Sequence, residues 1–148
     1  NTATGVDVPF GQTFAWYNAS VGTPQDGQAS GAYIFRPNSS TAFPVTAAPV
    51  AVTLITGPVV SEARQVFAPW LTQVVRLWAG KGDAQFEATI GPIPIGDSLG
   101  KEIITSYTTG TADHRTSTIL SSRPRIGPTR LWEVTVSPAA STVATVSV

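Results

Sequence analysis

The chain has 148 residues, of which 42% are hydrophobic and only 12% charged, about half the usual charged share. Nine basic residues balance nine acidic ones, which excludes the electrostatic footprint of a nucleic-acid binder or a basic membrane-surface binder. No cysteine is present, so disulfides and thiolate metal sites are excluded, and no apolar run approaches the roughly 18 residues of a membrane helix.

A composition rich in Thr, Ser, Ala, Val, Gly and Pro favours strands and turns over helices. The first predicted strand is Thr13–Tyr17, which runs into the sequon Asn18-Ala19-Ser20 and the turn Gly22-Thr-Pro24. Next comes Gln28-Ala-Ser-Gly-Ala-Tyr-Ile-Phe-Arg-Pro37. Small residues at Ser30, Gly31 and Ala32 allow a close backbone approach, after which Tyr33 is presented at the start of a predicted strand Ala32–Phe35. Arg36-Pro-Asn38 turns the chain into a second sequon, Asn38-Ser39-Ser40. Two sequons point to passage through a glycosylating compartment, in which case Asn1 is a processing boundary.

Val50–Thr56 is continuously apolar and β-branched, the pattern of a strand covered on both faces. Gly57-Pro58 breaks it and Val59–Phe67 resumes; Ser61–Val66 is too short and too β-flanked for a helix. Leu71–Trp78 is followed by a hairpin turn at Lys81-Gly82. Asp83–Ile90 then alternates strictly, with Ala84, Phe86, Ala88 and Ile90 on one face and Asp83, Gln85, Glu87 and Thr89 on the other. The stiff segment Gly91-Pro-Ile-Pro-Ile-Gly-Asp-Ser-Leu-Gly-Lys-Glu-Ile103 reads as a corner between sheets, because its prolines withhold donors. Ile103–Thr109, Leu131–Val136 and Thr142–Val148 complete the set, the last an edge strand or a tail. Many short strands separated by turn signals predict an all-β, antiparallel β-sandwich, a single domain or fragment spanning 1–148.

The residues by themselves offer little independent chemistry. His114 is the single histidine and sits beside Asp113 with no metal-ligand spacing, so it reads as a loop residue. No G-x-S-x-G motif occurs. Paired carboxylates for glycoside hydrolysis would come from Asp26, Glu62, Asp83, Glu87, Asp97, Glu102, Asp113 and Glu133, but the required separation of about 5–9 Å is invisible in sequence. Phe14, Trp16, Tyr17, Phe67, Trp70 and Trp78 offer either core residues or a sugar-stacking platform, and core is the commoner use. No self-contained active site emerges.

Four blocks carry a resemblance. Trp16-Tyr-Asn-Ala-Ser-Val-Gly22, Gln28–Asn38, Gln73-Val-Val-Arg-Leu77, and Gly91-Pro-Ile-Pro-Ile-Gly-Asp97 with Gly100-Lys-Glu-Ile103 resemble the lysosomal and vacuolar class II α-mannosidases, glycoside hydrolase family 38. The similarity covers about Gly11 to Thr109, in the β-rich region that follows the family's catalytic barrel. It fades after Gly110, where Thr111-Ala-Asp-His-Arg-Thr116 departs from the family's pattern and only Asp113 corresponds.

The resemblance implies a β-domain chain of an enzyme that removes terminal α-linked mannose from N-glycan-type oligosaccharides with retention. It implies that the nucleophile and a zinc ion with its Asp/His ligands lie on a barrel absent from this chain, which alone is inactive. Tyr33 takes the place of the family tyrosine that reaches the mannose site, with Ser30, Gly31 and Ala32 leaving room for the barrel. Of the two sequons, Asn18 falls inside a matched block and is the favoured glycan position over Asn38. The implied setting is a lysosome or vacuole (or secretion), with sister chains of the same processed enzyme as partners across a large apolar interface. The rival expectations are a free-standing carbohydrate-binding sandwich using Trp16, Tyr17 and Trp70, and a purely structural β module.

Overall fold

The computed structural model describes residues 10–25, 27–31 and 33–109, together with the backbones of three later strands at 117–122, 130–136 and 145–147. The described residues form ten strands: β1 (Phe10–Asn18), β2 (Phe43–Pro44), β3 (Val52–Ile55), β4 (Val60–Ala68), β5 (Leu71–Trp78), β6 (Ala84–Ile90), β7 (Lys101–Thr109), β8 (Ser117–Ser122), β9 (Arg130–Val136) and β10 (Thr145–Ser147). No helix occurs among the described residues. The all-β, antiparallel expectation is met. Every paired strand runs antiparallel, in a four-stranded sheet ordered β2-β1-β7-β8 and a six-stranded sheet ordered β10-β9-β6-β5-β4-β3.

Each sheet belongs to its own compact unit, residues 1–47 with 94–127 and residues 48–93 with 128–148. The chain starts in the first, builds β3 to β6 in the second, returns for β7 and β8, and ends in the second. The proline segment after Ile90 is the connection from β6 to β7, as its missing donors predicted.

In the first unit, alternation decides which side chains are buried. Lys101, Ile103, Thr105 and Tyr107 on β7 are all buried. Their β1 partners Asn18, Trp16, Phe14 and Gln12 share that face by register. Gln12 Nε2 donates to Thr105 Oγ1 at 3.1 Å and to the Tyr107 hydroxyl at 3.3 Å, so the polar groups on this face bond to one another. Phe43 on the short edge strand β2 stacks on its register partner Trp16, with ring centroids 5.8 Å apart. Neither residue 43 nor Pro44 announces a strand; the pairing with β1 makes one.

The second unit buries Leu71, Gln73, Phe86, Ala88 and Ile90. Registers Leu71↔Ile90, Gln73↔Ala88 and Val75↔Phe86 place the β5 and β6 members of this set on one face. Gln73 Nε2 donates to Gln65 Oε1 at 2.9 Å, which keeps a buried amide bonded. Between β5 and β6, Gly80 takes the left-handed φ of 75° and Lys81 N donates to the Trp78 carbonyl, so the turn centres on Ala79-Gly80, two residues earlier than Lys81-Gly82.

Two expectations fail here. Val50–Thr56 was to be covered on both faces, yet β3 is the edge of the six-stranded sheet and all four of its residues are exposed, Leu54 to 75%. Its apolar run identifies a strand but not its neighbours, and β4 pairs with one side only. Ala32–Phe35 was to be a strand, but no described residue of it belongs to one. The bonds that divert it are given below.

Candidate functional site

The first unit's described loop between β1 and β2 carries the residues that the sequence singled out. Where β1 ends, Ala19 N donates to the Gly100 carbonyl at 2.8 Å and Ala19 forms an isolated bridge with Pro37. Asn38 N donates to the Asn18 carbonyl at 2.9 Å, and Ser20 N to the Arg36 carbonyl at 2.8 Å. These bonds zip the two ends of the loop together and bring three matched blocks, around Asn18, Arg36 and Gly100, to one place. Gly22 adopts φ 82°, and a Cβ on it would meet Ala29 Cβ and N at 3.0 Å, so a glycine is needed where the loop folds on itself.

Ser30 closes the distal part. Its N–H donates to the Ser20 carbonyl at 2.9 Å, its Oγ donates to the Arg36 carbonyl at 2.6 Å, and the same Oγ accepts the Arg36 N–H at 2.8 Å. Arg36 Nη1 donates to the Ala29 carbonyl at 3.1 Å, and Gly31 N donates to the Ile34 carbonyl at 2.9 Å. A side-chain hydroxyl therefore takes the backbone groups that a strand would have given to a neighbour, which is why β propensity misread this segment. At the tip, Tyr33 is 83% exposed and Ile34 53%.

The sequons sit differently. Asn38 is exposed, as are Ser39 and Ser40. Asn18 is half-buried at the end of β1 with its Oδ1 buried and without a hydrogen-bond partner, and Ser20 is buried with its Oγ accepting from Gly22 N.

Three of the five described carboxylates, Glu62, Glu87 and Asp97, are ion-paired. In the second unit Glu62 accepts from Arg64 at 2.7 Å and from Arg76 at 2.9 Å, and Arg76 also bonds Glu87 at 2.9 Å. Hydrogen bonds from Arg64 and then Arg76 hold the Glu62 carboxyl below the usual carboxylate range. Glu87 and Glu62 in turn push the Arg76 guanidinium above its ordinary value. In the first unit Lys101, buried to 7% exposure, reaches Asp97 at 2.5 Å. That contact, with the Leu99 N–H, lowers the Asp97 carboxyl. A glycosidase acid needs the opposite shift. Asp83 and Glu102 are half-buried, and Glu133 is in backbone register with Glu87. Asp26, Asp113 and His114 lie outside the described residues. Among the described residues, no three His, Cys, Asp or Glu side chains gather as a metal site would require.

The aromatic set divides. Phe14 is buried, whereas Trp78 is partly exposed with Nε1 donating to Gln85 Oε1 at 3.2 Å. Trp16 and Tyr17 are consecutive on β1 and so point to opposite faces of their sheet. Sequence reading missed the Ser30–Arg36 clasp and the Arg76 and Lys101 pairings. Only the first had a local signal, a serine six residues before a turn.

Residues 1–121 match the glycosyl hydrolases family 38 C-terminal domain. An alpha-mannosidase of Canavalia ensiformis is 47% identical over 116 residues, covering 78% of this chain and 12% of the relative. The lysosomal alpha-mannosidase of Homo sapiens is 47% identical over 102 residues, covering 69% and 10%, and that of Mus musculus 43% identical over 109 residues, covering 74% and 11%. The chain thus spans only 12% or less of the length of these curated relatives.

Proposed function

This chain belongs to glycosyl hydrolase family 38, matching its C-terminal domain over residues 1–121, and on that premise we propose that it is the β-domain chain of an α-mannosidase. The assembled enzyme hydrolyses terminal α-linked mannose of N-glycan-type oligosaccharides with retention, in a lysosome or vacuole. The relatives' names support this reading: they are alpha-mannosidases, several of them lysosomal. The nucleophile and zinc belong to a barrel on another chain.

The observation that carries the chain's own role is the display of Tyr33. A phenol at 83% exposure on a stapled loop leaves most of its surface open to a partner. In the mannose site its hydroxyl gives one hydrogen bond to a sugar hydroxyl or to a catalytic carboxylate, orienting the sugar at the cleaved bond. Gly31 leaves open space beside the loop, since a Cβ built there meets none of the described residues within 4 Å. Tyr33→Phe in the assembled enzyme is expected to lower kcat roughly ten-fold while leaving assembly intact, the scale of one lost positioning bond. Unchanged kinetics would remove Tyr33 from the site.

A free-standing sugar-binding module is less well supported. Its platform needs Trp16 and Tyr17 side by side, and consecutive strand residues do not share a face. Native mass measurement separates the readings, because a lone species near 15.4 kDa sinks the assembly.

Both sequons are proposed as glycan acceptors, and exposure favours Asn38 over Asn18. Asn38→Gln is expected to abolish one glycosidase-sensitive mobility shift of the secretory product, and Asn18→Gln to remove a smaller fraction. An Asn38→Gln product that migrates with the parent would exclude Asn38.

A further inference from the structure

We propose that Ser30 is a positioning residue for the mannosidase reaction, acting through Tyr33. The inference rests on the reading of Tyr33 given above and adds a residue that never touches the sugar. The argument begins with the Arg36 backbone. Its carbonyl accepts two bonds, from Ser20 N at 2.8 Å and from Ser30 Oγ at 2.6 Å, filling both lone pairs. Its N–H goes to the same Oγ at 2.8 Å. One hydroxyl therefore acts as donor and acceptor to a single residue, and the backbone of Ser30 is tied in turn to Ser20.

The described residues between Ser30 and Arg36 have one backbone bond among themselves, Gly31 N to the Ile34 carbonyl at 2.9 Å. Tyr33 stands inside that turn. Its place relative to the rest of the unit is set by where the chain enters at Ser30 and leaves at Arg36, and the clasp fixes both points to each other. Without the hydroxyl, Ser20 N still reaches the Arg36 carbonyl and Arg36 Nη1 still reaches Ala29, so the base of the loop persists. What is lost is the register of entry against exit, and with it the aim of the phenol. A displacement on the order of 1 Å in a positioning group can lower a rate up to about a hundred-fold. A surface loop of this kind contributes little to global stability.

The test is a double-substitution cycle in the assembled enzyme, reading kcat and KM separately. Ser30→Ala is expected to lower kcat roughly ten-fold with KM within about two-fold, as for loss of an interaction made mainly in the transition state. Placed on Tyr33→Phe, Ser30→Ala is expected to cost almost nothing more, because the group it aims is already gone. Ser30→Thr, which keeps the hydroxyl, is expected to retain most of the turnover. Parent kinetics for Ser30→Ala beside a slow Tyr33→Phe overturns the assignment while leaving the Tyr33 reading intact. So does a Ser30→Ala loss that adds in full to that of Tyr33→Phe. A threonine variant as slow as the alanine one overturns it even where the alanine variant assembles poorly. A Tyr33→Phe enzyme with parent kinetics overturns both readings together.

Discussion

Leu71→Ala is expected to destabilise the fold by about 2–5 kcal/mol, among the largest single-site losses in the chain. Leu71 opens β5 and is 0% exposed. Antiparallel ladders hold it from both sides, Ala68 of β4 on one and Ile90 of β6 on the other. Those ladders fix the Cα positions, so the walls of the resulting void cannot close in cheaply, and the loss should fall above the bottom of the range. Val66→Ala on β4 is the matched control. That side chain is exposed, and its truncation should change stability by no more than about 0.5 kcal/mol. Urea unfolding with an unchanged m-value gives the comparison directly. A Leu71→Ala loss no larger than the control's would mean that the site collapses, and that the buried row Leu71, Gln73, Phe86, Ala88 and Ile90 is not a packed core.

The same strands show what was legible in the sequence. β5 and β6 were readable because each alternates and a short hairpin joins them, so local pattern and tertiary pairing agree. β2 was not readable. Phe43-Pro44 becomes a strand only because Ala15 and Trp16 lie beside it, and no pattern in two residues can say so. β3 was readable as a strand but not as an edge, since an apolar β-branched run is the same sequence whether one side is paired or two. The Tyr33 segment failed for a third reason. Tyr, Ile and Phe in a row have high strand propensity, and the deciding bonds come from a serine hydroxyl three residues upstream of the tyrosine. The family, by contrast, was legible from the spacing of short blocks, which constrains identity more tightly than it constrains local geometry. The reaction itself was not legible from composition or periodicity. The described carboxylates with shifted acidity are held down by Arg64, Arg76 and Lys101.

Alkaline solution should unfold the first unit through Tyr107. The side chain is only 6% exposed on the inner face of β7, beside Phe10 with ring centroids 5.5 Å apart. Burial pushes its hydroxyl up from 10.0 to about 12, with the neighbouring Thr105 offsetting part of the shift. The phenol is neutral when protonated, so a raised value means that the fold favours the protonated form. Below pH 10 both folded and unfolded chains hold the proton and the term is silent. Between about 10 and 12 the unfolded chain releases it while the folded chain does not, so stability falls with pH by about 1.4 kcal/mol per unit. Above about 12 both are ionised and the loss levels off at roughly 3 kcal/mol. The parent profile alone reads the whole chain, not one group. Tyr107→Phe isolates the contribution. It keeps the ring against Phe10, leaves Gln12 its bond to Thr105, and removes the ionisable group. The stability difference between parent and Tyr107→Phe should be flat below pH 10 and should then swing toward the variant as pH rises to 12, making phenylalanine the more alkali-resistant side chain. A difference that stays flat through that window would mean that water reaches the phenolate in the folded state, and that the β1–β7 face opens at Tyr107 before the sheet unfolds.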